Sequence, residues 1–269
     1  GRAKFSGLFE DPANDINLLL KDKESALDTI LKDSDQVAKL TQLKLFLDTS
    51  KEPSYDACMK MAIDQWSTDY NHNIKDLMNL FPEDSKRKDP VSGSEVPFWS
   101  GSKKFPQAPE LNFDEQIHLD YVFTASNLFA DMFKIEPIRD QAKFKEMVQK
   151  LNYTPSEWKP NEALQKKIAS EVEKAEAGKT EDDAQAITGG SEQQKIEDLK
   201  EYVTGFDTSA LKELNPADFE KDDDTNFHID FITACSNNRA RNYFIKEASR
   251  HKCKMIAGKI VPATAGNSA

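Results

Sequence analysis

Two stretches of the chain carry the same polar side chains at the same spacing. Residues 117–130 (IHLDYVFTASNLFA) and 227–240 (FHIDFITACSNNRA) can be aligned without gaps. The polar residues that they share are His118/His228, Asp120/Asp230, Ser126/Ser236 and Asn127/Asn237. Histidine and aspartate are residue types that can transfer protons, but no general base is visible in this pattern. The residue types alone favour a duplicated packing element without chemistry over a reactive site.

Cys58 is the second candidate for chemistry. A reactive thiol needs exposure and a positive neighbour, but Cys58 falls on the apolar stripe of a predicted helix, as buried thiols do. His72 lies off that stripe and too far along the same helix to form a Cys/His pair. With Cys235 and Cys253 the chain has three cysteines. These are too few and too scattered for a disulfide framework or a C-x-x-C metal site.

An acidic run before the second repeat suggests a calcium loop. Asp222, Asp224 and Asn226 have the alternating spacing of the first three ligands of a helix–loop–helix calcium site. The sixth position of such a loop should be glycine and is Phe227, and the twelfth should be glutamate and is Thr233. Helix capping and complementarity to the helix dipole explain the run better, so no metal site is predicted.

Both repeated stretches are predicted to be helices. Their apolar residues recur three and four positions apart, and neither glycine nor proline interrupts them. We expect Asn112 to cap the first helix and Thr225 or Asn226 to cap the second. Small residues at the centre of each helix, around Ala125 and Ala234, predict close contacts with neighbouring helices.

The rest of the pattern predicts a mostly α-helical, multi-helix domain with long ordered loops. The longest helix should run from Ser54 until Pro82 stops it. Phe98 and Trp99 are expected to pin a proline-rich loop, residues 85–110, to the core. Residues 180–193 are predicted to be disordered because they offer little apolar surface to bury. Apolar stripes predict further helices around residues 3–9, 16–20, 27–31, 37–47, 144–151, 164–172 and 196–202.

The amino-acid composition limits the classes of partner that the protein can be expected to bind. The net charge of −11 argues against a nucleic-acid surface, which needs a basic face, and favours partners with basic surfaces. No apolar run approaches the roughly 20 residues of a membrane span, and no signal peptide opens the chain. We therefore expect an intracellular protein with neither nucleic acid nor membrane as a partner.

Several longer motifs resemble the ubiquitin-activating enzyme family, in particular its second catalytic-cysteine half-domain. They occur in one order along the chain, and the similarity weakens only across about residues 135–216. The motifs are residues 5–9 (FSGLF), 73–77 (NIKDL), 96–101 (VPFWSG), 219–224 (FEKDDD), 228–234 (HIDFITA) and 250–263 (RHKCKMIAGKIVPA).

The resemblance implies an enzyme that adenylates ubiquitin with ATP and Mg, carries it as a cysteine thioester and passes it to a conjugating enzyme. In the family the reactive cysteine belongs to the segment just before the helix that ends in residues 5–9. That position lies before Gly1 here, so no catalytic, cofactor-binding or metal residue is expected in this chain. Cys58, Cys235 and Cys253 match positions that the family does not use as nucleophile. Alone, the chain is expected to be inactive.

The resemblance also divides the chain. Residues 1–257 are expected to form the half-domain, and residues 258–269 a tail that would re-enter the adenylation domain. The implied partners are ubiquitin, ubiquitin-conjugating enzymes and the adenylation domain, in the cytoplasm and nucleus. The alternative is a helical interaction scaffold that takes no part in catalysis.

Overall fold

Helices form most of the chain in this computed structural model, which describes residues 1–33, 35–89, 92–177 and 190–259. The predicted mostly α-helical class is therefore confirmed. The helices are α1 (Arg2–Phe9), α2 (Asp11–Lys21), α3 (Lys23–Ile30), α4 (Gln36–Lys51), α5 (Tyr55–Ser67), α6 (Asn73–Leu80), α7 (Gln116–Met132), α8 (Gln141–Lys150), α9 (Glu162–Ala177), α10 (Gly190–Gly205), α11 (His228–Asn242) and α12 (Arg250–Lys259). The strands are β1 (Lys86–Lys88) and β2 (Glu95–Pro97).

The first four helices follow the predicted pattern. Asp22 is the N-cap of α3, and its side chain accepts the backbone N–H of Ser25 at 3.0 Å. The apolar stripe of α1 points into the core, where the ring of Phe9 lies 4.9 Å from those of Phe129 and Phe231. These aromatic contacts bring α1 against both helices of the sequence repeat.

The longest predicted helix is confirmed. It starts where expected, because the Ser54 side chain accepts the backbone N–H of Ala57 at 3.2 Å. The chain stays helical from α5 to α6, but it makes a π-helical turn over Thr68–His72 that the apolar pattern did not predict. Asn242 stabilises the turn by donating from Nδ2 to the carbonyl oxygen of Tyr70 at 2.9 Å. The partner lies 172 positions away, beyond the reach of a local pattern.

The described part of the long predicted loop, residues 85–89 and 92–110, contains the sheet. β1 and β2 pair antiparallel with Arg87 opposite Val96, a strand pair that the sequence did not predict. The ring of Phe98 stacks on Phe81 with centroids 4.2 Å apart. Trp99 donates from Nε1 to the carbonyl oxygen of Phe81 at 3.0 Å. The predicted role of the two aromatic residues as anchors is confirmed.

The segment predicted to be disordered is described only in part. Residues 180–189 lie outside the described residues, and residues 190–193 form the first turn of α10. The predicted disorder therefore does not extend to these four residues. α10 packs on α4. Its end is held by Lys23, whose Nζ donates to the carbonyl oxygens of Thr204 at 3.1 Å and Phe206 at 2.8 Å.

α7 lies at the centre of the core, between α5 and α11. Its amino end sits beside the carboxyl end of α11, because Asn238 donates from Nδ2 to the carbonyl oxygen of Ile117 at 2.8 Å. α12 includes Gly258 and Lys259, two residues that were predicted to belong to the tail. Residues 260–269 of that tail lie outside the described part. Among the described helices, none has the length and apolarity to cross a bilayer.

Candidate functional site

The cysteines of this chain are buried and do not form a reactive site. Cys58 lies on the buried face of α5, as predicted, and burial raises the pKa of its thiol to about 12. Burial likewise raises the pKa of Cys235 on α11 to about 12. Both thiols are therefore protonated near neutral pH, whereas nucleophilic attack needs the thiolate. Cys253 on α12 is also buried.

The acidic run before α11 is bound to protein groups. The carboxylate of Asp222 pairs with Lys221, and that of Asp224 with Arg250 and Lys254. Phe227, with a left-handed backbone, occupies the N-cap position of α11 and makes no side-chain capping bond, so the predicted cap by Thr225 or Asn226 is wrong. Asn226 instead accepts the backbone N–H of His228 at 2.9 Å in the turn before the helix. In the described ranges, no group of three acidic, histidine or cysteine side chains is placed to hold a metal ion.

The predicted cap of α7 is wrong. Asn112 accepts the backbone N–H of Asp114 at 2.9 Å, within the loop before the helix. Glu115 occupies the N-cap position, and its side chain accepts no capping hydrogen bond. The loop is tied to the helix by His118 instead, whose Nδ1 accepts the backbone N–H of Asn112 at 3.2 Å.

The two repeated histidines have the same structural role. His228 accepts the backbone N–H of Glu220 on Nδ1 at 3.0 Å, as His118 does for Asn112. Burial lowers the pKa of both histidines, so each ring stays neutral and keeps Nδ1 as an acceptor. Each histidine thus fastens the incoming loop to its helix, which leaves Nδ1 unavailable for acid–base catalysis.

The repeated aspartates bind the helix that follows. Asp120 of α7 accepts a hydrogen bond from Nε2 of Gln141 at 2.8 Å, and Asp230 of α11 accepts one from Nε of Arg250 at 2.6 Å. Gln141 is the first residue of α8, and Arg250 is the first residue of α12. Hydrogen bonds from the following helix therefore hold both aspartates.

The repeated asparagines close the turns between these helices. Asn127 accepts the backbone N–H of Ile138 at 2.8 Å and donates to its carbonyl oxygen at 2.9 Å. Asn237 makes the same two bonds to Ala248, at 2.8 and 3.1 Å. The side-chain amide therefore substitutes for a backbone partner in both turns.

The duplication is longer than the sequence pattern indicated. Lys134 and Phe244, which follow α7 and α11, share a left-handed backbone with φ of 58° and 56°. The next residue in each copy, Ile135 or Ile245, donates its N–H five residues back at 2.8 Å. We call α7, its turn and α8 the first unit, and α11, its turn and α12 the second unit. The side-chain types of the two copies differ after Ala130 and Ala240. In the sequence, only the constant offset of 110 residues between the copies could have revealed that the repeat continues.

A cleft of about 350 Å³ separates the two units. Arg139 crosses it by donating from Nη1 to the carbonyl oxygen of Thr225 at 2.9 Å, and its guanidinium lies 5.4 Å from the centre of the Phe227 ring. Asp230 and Arg250 form an ion pair on the opposite wall. The polar groups of both pairs already have partners within the protein, and the cleft lies at the interface between the units.

The amino end of α1 rests on the second unit and on the π-helical turn. A Cβ atom built on Gly1 would lie 3.1 Å from the Cγ2 atom of Ile232, so a larger residue here would require the Ile232 side chain to shift by a few tenths of an ångström. Lys4 forms an ion pair with Asp69, which also accepts hydrogen bonds from Gln65 at 3.0 Å and from the Tyr121 hydroxyl at 3.3 Å. The start of α1 is therefore held against the core.

Comparison with known proteins gives one consistent result. Residues 1–254 match the family described as "Ubiquitin-activating enzyme, SCCH domain". The whole chain is 35% identical to part of the mouse (Mus musculus) "Ubiquitin-like modifier-activating enzyme 1" and 32% identical to part of the Candida albicans "Ubiquitin-activating enzyme E1 1". It is 31% identical to the wheat (Triticum aestivum) protein of the latter name. The chain spans about a quarter of the length of these relatives: 24% of the mouse protein and 25% of the other two.

Proposed function

This chain belongs to the SCCH-domain family of ubiquitin-activating enzymes, and we propose that it serves as the second catalytic-cysteine half-domain of such an enzyme. The reaction has three steps. The ubiquitin C-terminal carboxylate attacks ATP to give an acyl-adenylate and pyrophosphate. A cysteine thiolate then displaces AMP, so that a C–S bond replaces the C–O bond to the nucleotide. The thioester finally passes to a cysteine of the conjugating enzyme.

In this scheme the domain positions the segment that carries the reactive cysteine. The observation that carries the proposal is the family match over residues 1–254, and the buried thiols of Cys58 and Cys235 are consistent with a nucleophile elsewhere. The amino end of α1, held by Ile232 and Asp69, would fix the segment that bears that nucleophile. ATP and Mg would bind to the adenylation domain, since the chain has no glycine-rich phosphate loop.

The proposed partners are ubiquitin, ubiquitin-conjugating enzymes and the adenylation domain, in the cytoplasm and nucleus. The net charge of −11 suits partners with basic surfaces. The alternative of a non-catalytic scaffold is not favoured, because the full-length identity is to named activating enzymes.

A thioester assay tests this proposal. The 269-residue chain is incubated with ubiquitin and Mg-ATP, then separated without reductant, with the mouse relative as the positive control. We expect no reducible adduct on this chain, because its thiols are buried and it has no nucleotide loop. A ubiquitin adduct that disappears with reductant would contradict the proposed division of labour.

A further inference from the structure

The two units hold their second helices by different means. α8 buries Phe144 and Val148, which are 0% and 2% exposed. Within residues 250–257 of α12, whose side chains the structure describes, the buried ones are the small side chains of Cys253 and Ala257, and Met255 is 51% exposed. Hydrophobic stabilisation scales with the apolar area removed from water, so α12 gains much less from packing than α8.

The first turns of the two helices also make α8 more stable than α12. Asp140 starts α8 by accepting the backbone N–H groups of Ala142 at 2.9 Å and Lys143 at 3.1 Å. At the start of α12 the neutral side chain of Ser249 takes this role by accepting the backbone N–H of Lys252 at 3.2 Å, and the first turn carries Arg250 and Lys252. Positive charge at the amino end of a helix opposes the helix dipole. α12 is therefore the less stable helix of the pair on its own.

Ion pairs compensate for this weakness. Arg250 donates from Nε to Asp230 at 2.6 Å and from Nη1 to Asp224 at 2.9 Å, and Lys254 donates to the same Asp224 oxygen at 3.0 Å. The hydrogen bonds from Lys254 and Arg250 lower the pKa of Asp224. We call these four residues the ion-pair cluster. A network that includes an arginine bound by two carboxylates is stronger than isolated surface pairs, but added salt still screens it.

We propose that α12 docks reversibly on α11 and that the ion-pair cluster is the latch that holds it closed. The second unit then opens and closes while the first unit, fastened by its apolar core, stays closed. Opening releases Asp230, which lies two residues before Ile232, the α11 residue that contacts Gly1. The latch thus acts on the helix that supports the start of α1. This inference does not depend on the proposed function.

Cys253 reports the opening. Its thiol is buried while α12 is docked, and Cys58 and Cys235 in the same molecule report the rest of the core. The native chain is treated with N-ethylmaleimide, and the labelling rate of each cysteine is followed by peptide mass spectrometry. We expect Cys253 to react faster than the other two and to accelerate when NaCl is raised from about 0.05 to about 1 M, since salt screens ion pairs.

Substitutions that remove a carboxylate charge from the ion-pair cluster should have the same effect on the labelling rate as added salt. Asp224→Asn and Asp230→Asn should each raise the labelling rate of Cys253 about tenfold while Cys58 keeps its slow rate. Asp222→Asn is the matched control, because its carboxylate pairs with Lys221. If simple fraying of α12 exposed Cys253, its labelling rate would not depend on salt and would be the same in all three variants. That result, or a rate of Cys253 as slow as that of Cys58 under every condition, would overturn the proposal.

Discussion

Asn127 and Asn237 each hold the backbone of the residue eleven positions downstream through both atoms of the side-chain amide. The two bonds close the turn between a long helix and the short helix that follows it. Because the same geometry occurs in both copies, the repeat is a three-dimensional unit and not only two similar helices. The structure thus favours the packing interpretation of the repeated residues over a reactive site.

Loss of these amides should destabilise the two units unequally. Asn127 is buried, and its Oδ1 also accepts the Tyr55 hydroxyl at 2.9 Å, whereas Asn237 is half-buried. We expect Asn127→Ala to lower the free energy of unfolding by about 2 to 3 kcal/mol and Asn237→Ala by about 1 kcal/mol. Urea denaturation measures both. The control is Gln149→Ala at an exposed site of α8, and equal costs at all three positions would contradict the role of the amides.

Extra volume at the centre of α7 should be costly. Ala125 is fully buried in the helix that packs on both α5 and α11. Ala125→Leu is expected to reduce the free energy of unfolding by about 1 to 3 kcal/mol, because a leucine side chain would overpack this contact. Ala234 lines the cleft between the units, so Ala234→Leu should cost less.

The matched control for these substitutions is Ala142→Leu, on the exposed face of α8. It should leave the denaturation midpoint nearly unchanged. If Ala125→Leu and Ala142→Leu had the same midpoint, α7 would not be the close-packed element described above.

Stability should fall on mild acidification. Burial lowers the pKa of His118 and His228 in the folded state, below the value of about 6.5 in the unfolded chain. The unfolded state therefore binds more protons in this range, and the stabilising contribution, complete above about pH 6.5, is lost as pH falls toward the folded pKa.

We expect a lower free energy of unfolding at about pH 5.5 than at about pH 7.5, since histidine titrates between these values. His118→Gln and His228→Gln should each reduce this difference, and His251→Gln, at an exposed position of α12, should not. Denaturation curves at the two pH values decide the point. An unchanged pH dependence in both buried-site variants would show that these imidazoles do not stay neutral in the fold.

Local patterns in the sequence predicted most of the helices, because apolar spacing and caps such as Ser54 act over a few residues. They did not predict the π-helical turn, since Asn242 holds it from a distant part of the chain. The cap assigned to Asn112 was wrong because its side chain bonds to Asp114 within the preceding loop, while Glu115 occupies the N-cap position. The strands β1 and β2 are three residues each, too short for a periodic signal.

The site was predictable only in its outline. The repeated His, Asp and Asn residues were found from their spacing, but their partners Ile138 and Ala248 are apolar and bind through the backbone. No side-chain pattern identifies a backbone partner. The ion-pair cluster joins Asp224 to Lys254, 30 positions apart, and was likewise visible only in the folded structure.

The position of the ubiquitin thioester tests the proposed function most directly. A protein that contains this chain together with its adenylation domain is incubated with ubiquitin and Mg-ATP, and the adduct is mapped by mass spectrometry without reductant. We expect one reducible adduct, on a cysteine other than Cys58, Cys235 and Cys253, and we expect it to survive Cys58→Ala. An adduct on one of these three thiols would contradict the proposed function, as would adenylate formation without any thioester.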